Sequence, residues 1–174
     1  MHFIDSHSHL ADAAFDADRD EVIERAAAAG AVAVVCIGAS IADGARAREL
    51  AARHPLLRWT AGLHPQDAAT FDAATQLPAL EALLDGGAVA IGECGLDYHY
   101  DGVPRDRQVE CFEAQLSLAA ERELPVIVHT RDAEADTAIM IDRAAREGVI
   151  GVLHCYTGSV ALAGRISERV AHAC

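Results

Sequence analysis

The sequence predicts an α/β fold in which parallel strands form an incomplete (β/α) barrel, with about six of the eight β-α units of a closed barrel. Six short apolar runs alternate with helix-like segments along the chain, which is the pattern of repeated right-handed β-α units. Several runs end in a histidine or a glutamate, and the strand ends of a parallel barrel meet at one mouth. The chain has 174 residues, whereas a complete barrel typically has about 250.

Apolar periodicity places the individual elements. The predicted strands lie near residues 3–6, 32–38, 58–63, 88–93, 125–129 and 151–154. The predicted helices lie at residues 16–29, 42–53, 77–85, 106–123, 134–147 and 159–171. In the fourth helix, Val109, Phe112 and Leu116 recur at helical spacing and predict one buried face. No linker rich in Pro, Gly or Ser interrupts the series, so we expect a single domain over residues 1–174.

Two architectures accommodate six parallel strands: an open doubly wound sheet and a (β/α)₈ barrel. Candidate ligands at the ends of the first, fourth, fifth and sixth strands favour the barrel, because an open sheet would spread these ends along a line. The sequence ends where a seventh strand would begin, so we expect this chain to lack the last two strands.

Composition describes an ordinary globular chain. Hydrophobic residues make up 52% and charged residues 24%, and the longest apolar stretch, residues 31–39, is too short to cross a bilayer. The N-terminus has no basic region of the kind found in signal peptides. The five cysteines include no C-x-x-C pair, which argues against a disulfide framework. We therefore expect a cytoplasmic protein that does not associate with membranes.

The charge of the chain limits its substrates and its chemistry. The formal net charge of −13 disfavours broad electrostatic binding to duplex DNA. A phosphate-bearing substrate remains compatible with this charge, because bound divalent ions supply local positive charge. All 14 basic residues are arginines, which excludes a Schiff base or a carbamylated-lysine metal bridge formed by these residues.

Candidate metal ligands begin at the first strand. His7 and His9 alternate with Ser8, so both imidazoles point to the same side and can hold one divalent ion. Glu93 follows an apolar run that we expect to be buried on both faces, where a carboxylate is costly unless it is paired or bound to metal. The alternatives are a solvated histidine pair and a glutamate that caps a turn or pairs with an arginine.

His129 and His154 each end a short strand in the same way. Either histidine alone would more often be a structural residue, but four histidines and a glutamate at equivalent strand ends favour a shared site. A glutamate can bridge two ions while histidines occupy each side. The sequence therefore predicts two divalent metal ions, drawn from Mg²⁺, Mn²⁺ and Zn²⁺.

Five segments carry a specific pattern. They are residues 3–10 (FIDSHSHL), 62–65 (GLHP), 91–98 (IGECGLDY), 125–133 (PVIVHTRDA) and 154–158 (HCYTG). In this order they resemble the TatD family of metal-dependent hydrolases, often described as TatD-type deoxyribonucleases. Gln108, Phe112, Gln115 and residues 118–119 also match the helix that precedes the family's fifth strand.

The resemblance implies a distorted TIM barrel that hydrolyses phosphodiester bonds, usually at DNA ends as a 3′–5′ exonuclease. It implies that one metal ion is held by His7, His9 and Glu93. It implies that the other ion is held by Glu93, His129 and His154. Glu93 would bridge the two ions.

The resemblance also suggests two contacts to substrate phosphate, which are His64 and Arg131. Each lies beside or just past a predicted strand end. For Arg131 the alternative is a salt bridge to Asp132 or Asp136.

One family feature has no match in this chain. The family carries a further aspartate at the end of its eighth strand, which binds the first metal and helps to activate the water. After residue 158 only Glu168 and His172 could replace it, so we expect a truncated or frameshifted member whose first metal site is weak and whose activity is in doubt. One alternative function is a metal-dependent phosphatase, which would act on small phosphoesters rather than DNA, or another ester or amide hydrolase. A further alternative is an inactive metal-binding fragment.

Overall fold

Six strands and six α-helices alternate along the part of the chain that the structure describes. The structure is a computed structural model that gives the backbone of residues 1–167 and the side chains of residues 1–164. The strands are β1 (Phe3–Ser8), β2 (Ala31–Cys36), β3 (Leu57–Trp59), β4 (Ile91–Asp97), β5 (Val126–Arg131) and β6 (Gly151–Leu153). The helices are α1 (Arg19–Ala28), α2 (Ile41–Arg53), α3 (Ala73–Asp85), α4 (Arg105–Arg122), α5 (Glu134–Arg146) and α6 (Val160–Ser167).

The strands form one curved parallel series. β1, β2 and β3 pair in that order, and so do β4, β5 and β6, with every pairing parallel. A parallel bridge between Ala61 and Ile91 joins the two groups, and the amide of Val89 donates to the carbonyl of Trp59 across the same seam. The predicted α/β fold with an incomplete barrel of six β-α units is therefore confirmed.

The two outer strands are open in this part of the chain. Among the described residues, β1 pairs only with β2 and β6 pairs only with β5. The side of β1 that faces away from β2 leaves Phe3 42% and Ile4 62% exposed. An exposed apolar edge strand is a surface on which another strand can add.

The helices pack against the outside of the sheet and create the core. Phe112 of α4, Leu80 of α3 and the β4 residues Ile91 and Leu96 are fully buried. Leu116 is buried as well, so the predicted buried face of the fourth helix is confirmed. α4 packs on β4 and on the 3₁₀ helix Pro65–Thr70, which brings it next to the carboxyl ends of two strands.

The predicted position of the fourth strand was wrong. We predicted residues 88–93, but β4 runs from Ile91 to Asp97. Gly92 and Gly95 weaken the local strand signal, yet after an irregularity between Ile91 and Cys94 the pairing with β5 continues through Gly95 to Asp97. Glu93 therefore lies inside the strand, and His129 likewise lies inside β5 rather than at its end.

Two helices differ from their predicted bounds. α3 begins at Ala73 instead of 77, because the side chain of Asp72 accepts a hydrogen bond from the amide of Ala74 and caps the helix earlier. α6 is described from Val160 to Ser167. The remainder of the predicted helix 159–171, with Glu168 and His172, lies outside the described residues.

Two observations bear on the expected absence of membrane spans and on the state of the cysteines. Within residues 1–167, no helix is long and apolar enough to cross a membrane. Cys36, Cys94 and Cys111 are buried free thiols and Cys155 is an exposed one.

Two buried glutamines of α4 fasten the strand ends. The side-chain amide of Gln115 accepts from the N–H of Leu63 (2.8 Å) and donates to its carbonyl (3.0 Å). Two helical turns earlier, Gln108 makes the same pair of bonds with the backbone of Asp97, both at 2.8 Å. Each glutamine thus bonds both backbone polar groups of one residue, Leu63 after β3 or Asp97 at the end of β4, which holds these two segments in place.

We expect Gln115→Leu to lower the free energy of unfolding by about 2–4 kcal/mol, because it leaves the buried N–H and carbonyl of Leu63 without hydrogen-bond partners. Chemical denaturation measures this loss. Glu121→Leu, at an exposed position of the same helix, is the control and should change stability by less than about 0.5 kcal/mol. Equal stability of the two variants would contradict the proposed role of this amide.

Candidate metal centre

A buried carboxylate, Glu93, lies at the centre of a group of five histidines. Glu93 is 3% exposed, and its side chain projects from the middle of β4. The two carboxylate oxygens face different histidines, which divides the group into two sides. The structure therefore brings together all five metal-ligand candidates from the sequence, together with His64.

The Oε2 side is formed by the first strand. The Nε2 atoms of His7 and His9 lie 3.5 and 3.8 Å from Glu93 Oε2 and 3.2 Å from each other. His7 lies in β1 and His9 follows it, so the predicted same-side arrangement of the H-x-H pair is observed. The side chain of His9 is 50% exposed, whereas that of His7 is 16% exposed.

The Oε1 side is formed by the later strands. His154 Nε2 lies 2.5 Å and His129 Nδ1 lies 3.0 Å from Glu93 Oε1, and these two nitrogens are 3.4 Å apart. His64 Nε2 lies 3.8 Å from the same oxygen. The rings of His154 and His7 stack with centroids 3.8 Å apart, which links the two sides.

The register of β4 and β5 explains how His129 meets Glu93. Gly95 pairs directly with His129, and Glu93 and Asp97 lie two residues to either side of Gly95 on the same face. A Cβ at Gly95 would lie 2.0 Å from the carbonyl oxygen of His129, and the backbone there has a φ of +133°. Only glycine fits, and the absence of a side chain leaves the imidazole between the two carboxylates.

The charges of the site depend on this crowding. Burial alone would raise the pKa of Glu93, but hydrogen bonds with His129, His154 and His7 outweigh burial and hold that pKa far below its usual range. Burial also lowers the pKa of His9 and of His64. For His129 burial acts in the same direction, yet its hydrogen bond to Glu93 raises the pKa above the ordinary value. The centre therefore combines an ionised carboxylate with two rings, those of His9 and His64, whose lowered pKa favours the neutral form.

The donor set fits divalent metal ions. An ion with tetrahedral bonds of about 2.1 Å places its ligand atoms about 3.4 Å apart. The separations on the Oε2 side, 3.2, 3.5 and 3.8 Å, bracket this spacing. Those on the Oε1 side, 2.5, 3.0 and 3.4 Å, are shorter, because Glu93 Oε1 is at hydrogen-bond distance from His154 and His129. Imidazole and carboxylate are the ligands that zinc and manganese accept. An open cleft of about 430 Å³ gives solvent access and is lined by His9, Ala39, His64, Asp67, Glu93, His129 and His154.

His64 differs from the other histidines in its second nitrogen. Its Nδ1 accepts a hydrogen bond from the backbone N–H of Gln66 at 3.2 Å, which caps the 3₁₀ helix Pro65–Thr70. In a neutral ring the proton must then be on Nε2. The nitrogen that faces Glu93 is therefore a donor.

The rim beyond the strand ends carries the other predicted substrate contact. Arg131 ends β5, donates to the Tyr100 hydroxyl at 3.2 Å and stacks over its ring. The alternative salt bridges of Arg131 were wrong: Asp132 pairs with His99 at 2.9 Å, and Asp136 accepts from the Tyr98 hydroxyl at 2.8 Å. Arg131 and Tyr100, both largely exposed, form one surface at the mouth.

Asp97 was missed as a candidate site residue. It ends β4, is 2% exposed, and its Oδ2 lies 3.2 Å from His129 Nε2. A signal was present in the sequence, because Glu93, Gly95 and Asp97 alternate and must share one strand face. The strand was predicted to stop at residue 93, which removed that signal.

Comparison with known proteins agrees with the geometry. The sequence profile of the family described as TatD related DNase matches residues 4–173. A protein of Bacillus subtilis named uncharacterized metal-dependent hydrolase YabD is 38% identical over 159 residues, which are 91% of this chain and 62% of that protein. A protein of a Rahnella species named 3′-5′ ssDNA/RNA exonuclease TatD is 40% identical over 152 residues, which are 87% of this chain and 58% of that protein.

Solved structures show the same relationship. The crystal structure of YjjV, a TatD homologue from Escherichia coli, superposes with a TM-score of 0.87 at 31% identity, covering 95% of this chain and 64% of the other. A hydrolase of the TatD family from Entamoeba histolytica also gives 0.87, and at 24% identity it shows the shared fold; 97% of this chain and 63% of that one are covered. The chain spans about three fifths of the length of the relatives that it matches. This chain belongs to the TatD-related DNase family.

Proposed function

We propose that the protein is a hydrolase of phosphodiester bonds that uses two divalent metal ions and acts on the 3′ ends of single-stranded nucleic acid. The observation that carries this proposal is the division of the Glu93 carboxylate, whose two oxygens face two different sets of histidines. A carboxylate in this position can bridge two ions. The substrate class is supported by the relatives named as ssDNA/RNA exonucleases.

The chain's own residues would have distinct roles. His7 and His9 with Glu93 would hold one ion, and Glu93 with His129 and His154 would hold the other. Bound divalent ions would supply the positive charge and the activated water that hydrolysis of a phosphodiester needs. Because Glu93 and His129 are held by the largely buried strands β4 and β5, these ligands are oriented before substrate arrives.

His64 suits a contact to substrate. Its Nε2 carries the proton in the tautomer that Gln66 fixes, so it cannot offer a lone pair to a metal ion without losing that bond. The N–H lies beside Glu93 in the open cleft, where a phosphate oxygen would come to lie. We infer that His64 donates to a non-bridging phosphate oxygen.

The rim suits single-stranded nucleic acid. Arg131 provides a planar guanidinium that can pair with a phosphate, and the exposed ring of Tyr100 beside it offers a surface on which a base can stack. With a net charge of −13, the chain must attract the substrate through local positive charge at this mouth. A cytoplasmic location also remains a prediction, which the buried free thiols support.

Added Mn²⁺ should raise the melting temperature of metal-free protein, because an ion that binds only the folded chain stabilises it by mass action. Glu93→Gln should abolish the increase, since it removes the shared charged ligand. Glu49→Gln, at an exposed position outside the site, should retain it. Differential scanning calorimetry with and without Mn²⁺ provides the measurement, and an unchanged increase in Glu93→Gln would exclude this carboxylate as a ligand.

With Mn²⁺, the protein should shorten a 5′-labelled single-stranded DNA one nucleotide at a time from its 3′ end. His154→Gln should reduce the rate by more than about 100-fold, since it removes a direct ligand, while His54→Gln, a surface histidine paired with Asp20, should not. A small phosphoester assayed in parallel separates the functions. Hydrolysis of the small ester alone would favour the phosphatase alternative, and metal binding without either activity would favour the inactive fragment.

His64→Ala should lower the rate of DNA hydrolysis by about 10- to 1000-fold, the range seen when one donor to a developing charge is removed. Its affinity for Mn²⁺ should stay close to that of the unchanged protein. Isothermal titration of the metal and single-turnover kinetics measure the two effects separately. A loss of metal affinity comparable to that of His154→Gln would instead make His64 a ligand.

A further inference from the structure

A second buried carboxylate lies on the far side of one metal-facing histidine. Asp97 ends β4, and its side chain is 3% exposed. Its Oδ2 lies 3.2 Å from His129 Nε2, and its Oδ1 accepts the backbone N–H of His99 at 3.0 Å. Within the described part of the chain, His129 is the one basic side chain with which Asp97 forms an ion pair.

The two nitrogens of His129 face opposite partners. Nδ1 lies 3.0 Å from Glu93 Oε1 and 3.4 Å from His154 Nε2, which is the side where an ion would be held. Nε2 faces Asp97. A ring nitrogen that binds metal must offer a lone pair, so the proton of the neutral ring has to lie on the other nitrogen. A carboxylate acceptor at Nε2 stabilises that tautomer and fixes the plane of the ring.

Asp97 is itself held in place. Its backbone N–H and carbonyl both bond to the side chain of Gln108, which is 1% exposed. Its neighbour in β5 is Arg131, two residues beyond His129. Helix α4 therefore fixes the backbone from which the carboxylate projects, and the His99 N–H holds its Oδ1, which keeps Oδ2 beside the imidazole.

We propose that Asp97 is a positioning residue that keeps His129 in the Nε2–H tautomer, so that Nδ1 is free to bind the divalent ion on the Oε1 side. The inference rests on the proposed metal site and adds to it a residue that would not touch the ion. It makes a distinction that can be tested: an acceptor of a hydrogen bond is required at residue 97, and a negative charge or a direct ligand is not.

The experiment compares Asp97→Ala with Asp97→Asn in the full chain. Alanine removes the acceptor, so the affinity for Zn²⁺ should fall roughly 10- to 100-fold, as for other residues that support a metal ligand. Asparagine keeps an oxygen that can accept from Nε2–H, so it should restore most of the affinity. Competition titration with a chromogenic chelator measures the affinity. Asp136→Ala, which removes an exposed carboxylate paired with Tyr98, is the matched control and should bind as the unchanged protein does.

Nitrogen-15 spectra of histidine-labelled, Zn²⁺-loaded protein provide a readout that a merely structural role would not affect. We expect metal at Nδ1 and a proton at Nε2 of His129 in the unchanged protein and in Asp97→Asn. Circular dichroism establishes that the variants are folded. If Asp97→Ala does not fold, Asp97→Asn and the spectra of the unchanged protein still decide the inference.

Three results would overturn it: unchanged affinity in both variants, an equal loss in Asn and Ala, or Zn²⁺ bound at Nε2. An equal loss would show that the negative charge or direct ligation by Asp97, and not only its capacity to accept a hydrogen bond, is required. Failure of the unchanged protein to bind Zn²⁺ is a different result, because it would overturn the proposed metal site together with this inference.

Discussion

The burial of one carboxylate, Glu93, is the constraint on which the rest of the site depends. An ionised glutamate that is 3% exposed is strongly destabilising unless other groups replace its lost hydration. Here imidazoles from β1, β5 and the residues after β3 and β6 converge on its two oxygens. Because these groups come from separate parallel strands or from the residues after them, the curvature of the sheet is what allows them to reach one point. A flat sheet of the same strands would leave the carboxylate buried and mostly without partners.

This convergence requires backbones to approach more closely than side chains allow. A Cβ at Gly62 would lie 2.6 Å from the backbone of Gly92, and one at Gly95 would collide with the carbonyl of His129. The glycines that weaken β4 as a strand are therefore the residues that let β3 and β5 reach Glu93. Their cost in strand stability is offset from outside the sheet, where Gln108 and Gln115 of α4 bond to the backbone of Asp97 and Leu63.

These glycines also explain why part of the site could be predicted from the sequence and part could not. The alternation of apolar runs and helices is a local pattern and predicted all six units. The grouping of His7, His9, His129 and His154 with Glu93 followed from equivalent positions at strand ends. Asp97 did not follow, because Gly92 and Gly95 weaken the strand signal and the predicted strand ended at residue 93, whereas the non-local pairing with β5 extends it to Asp97. The tautomer of His64 depends on a capping bond to Gln66, which residue types alone do not specify.

The two sides of Glu93 are physically unequal. On the Oε1 side the side chains of His129 and His154 are 19% and 16% exposed, and Asp97 and α4 support His129 from behind. On the Oε2 side His9 is half exposed, and β1, which carries His7 and leads into His9, pairs only with β2 among the described residues. Rigidity and exclusion of water favour ion binding through preorganised ligands. The ligands on the Oε1 side are therefore the more rigidly held. A further ligand would increase the affinity for metal more on the Oε2 side.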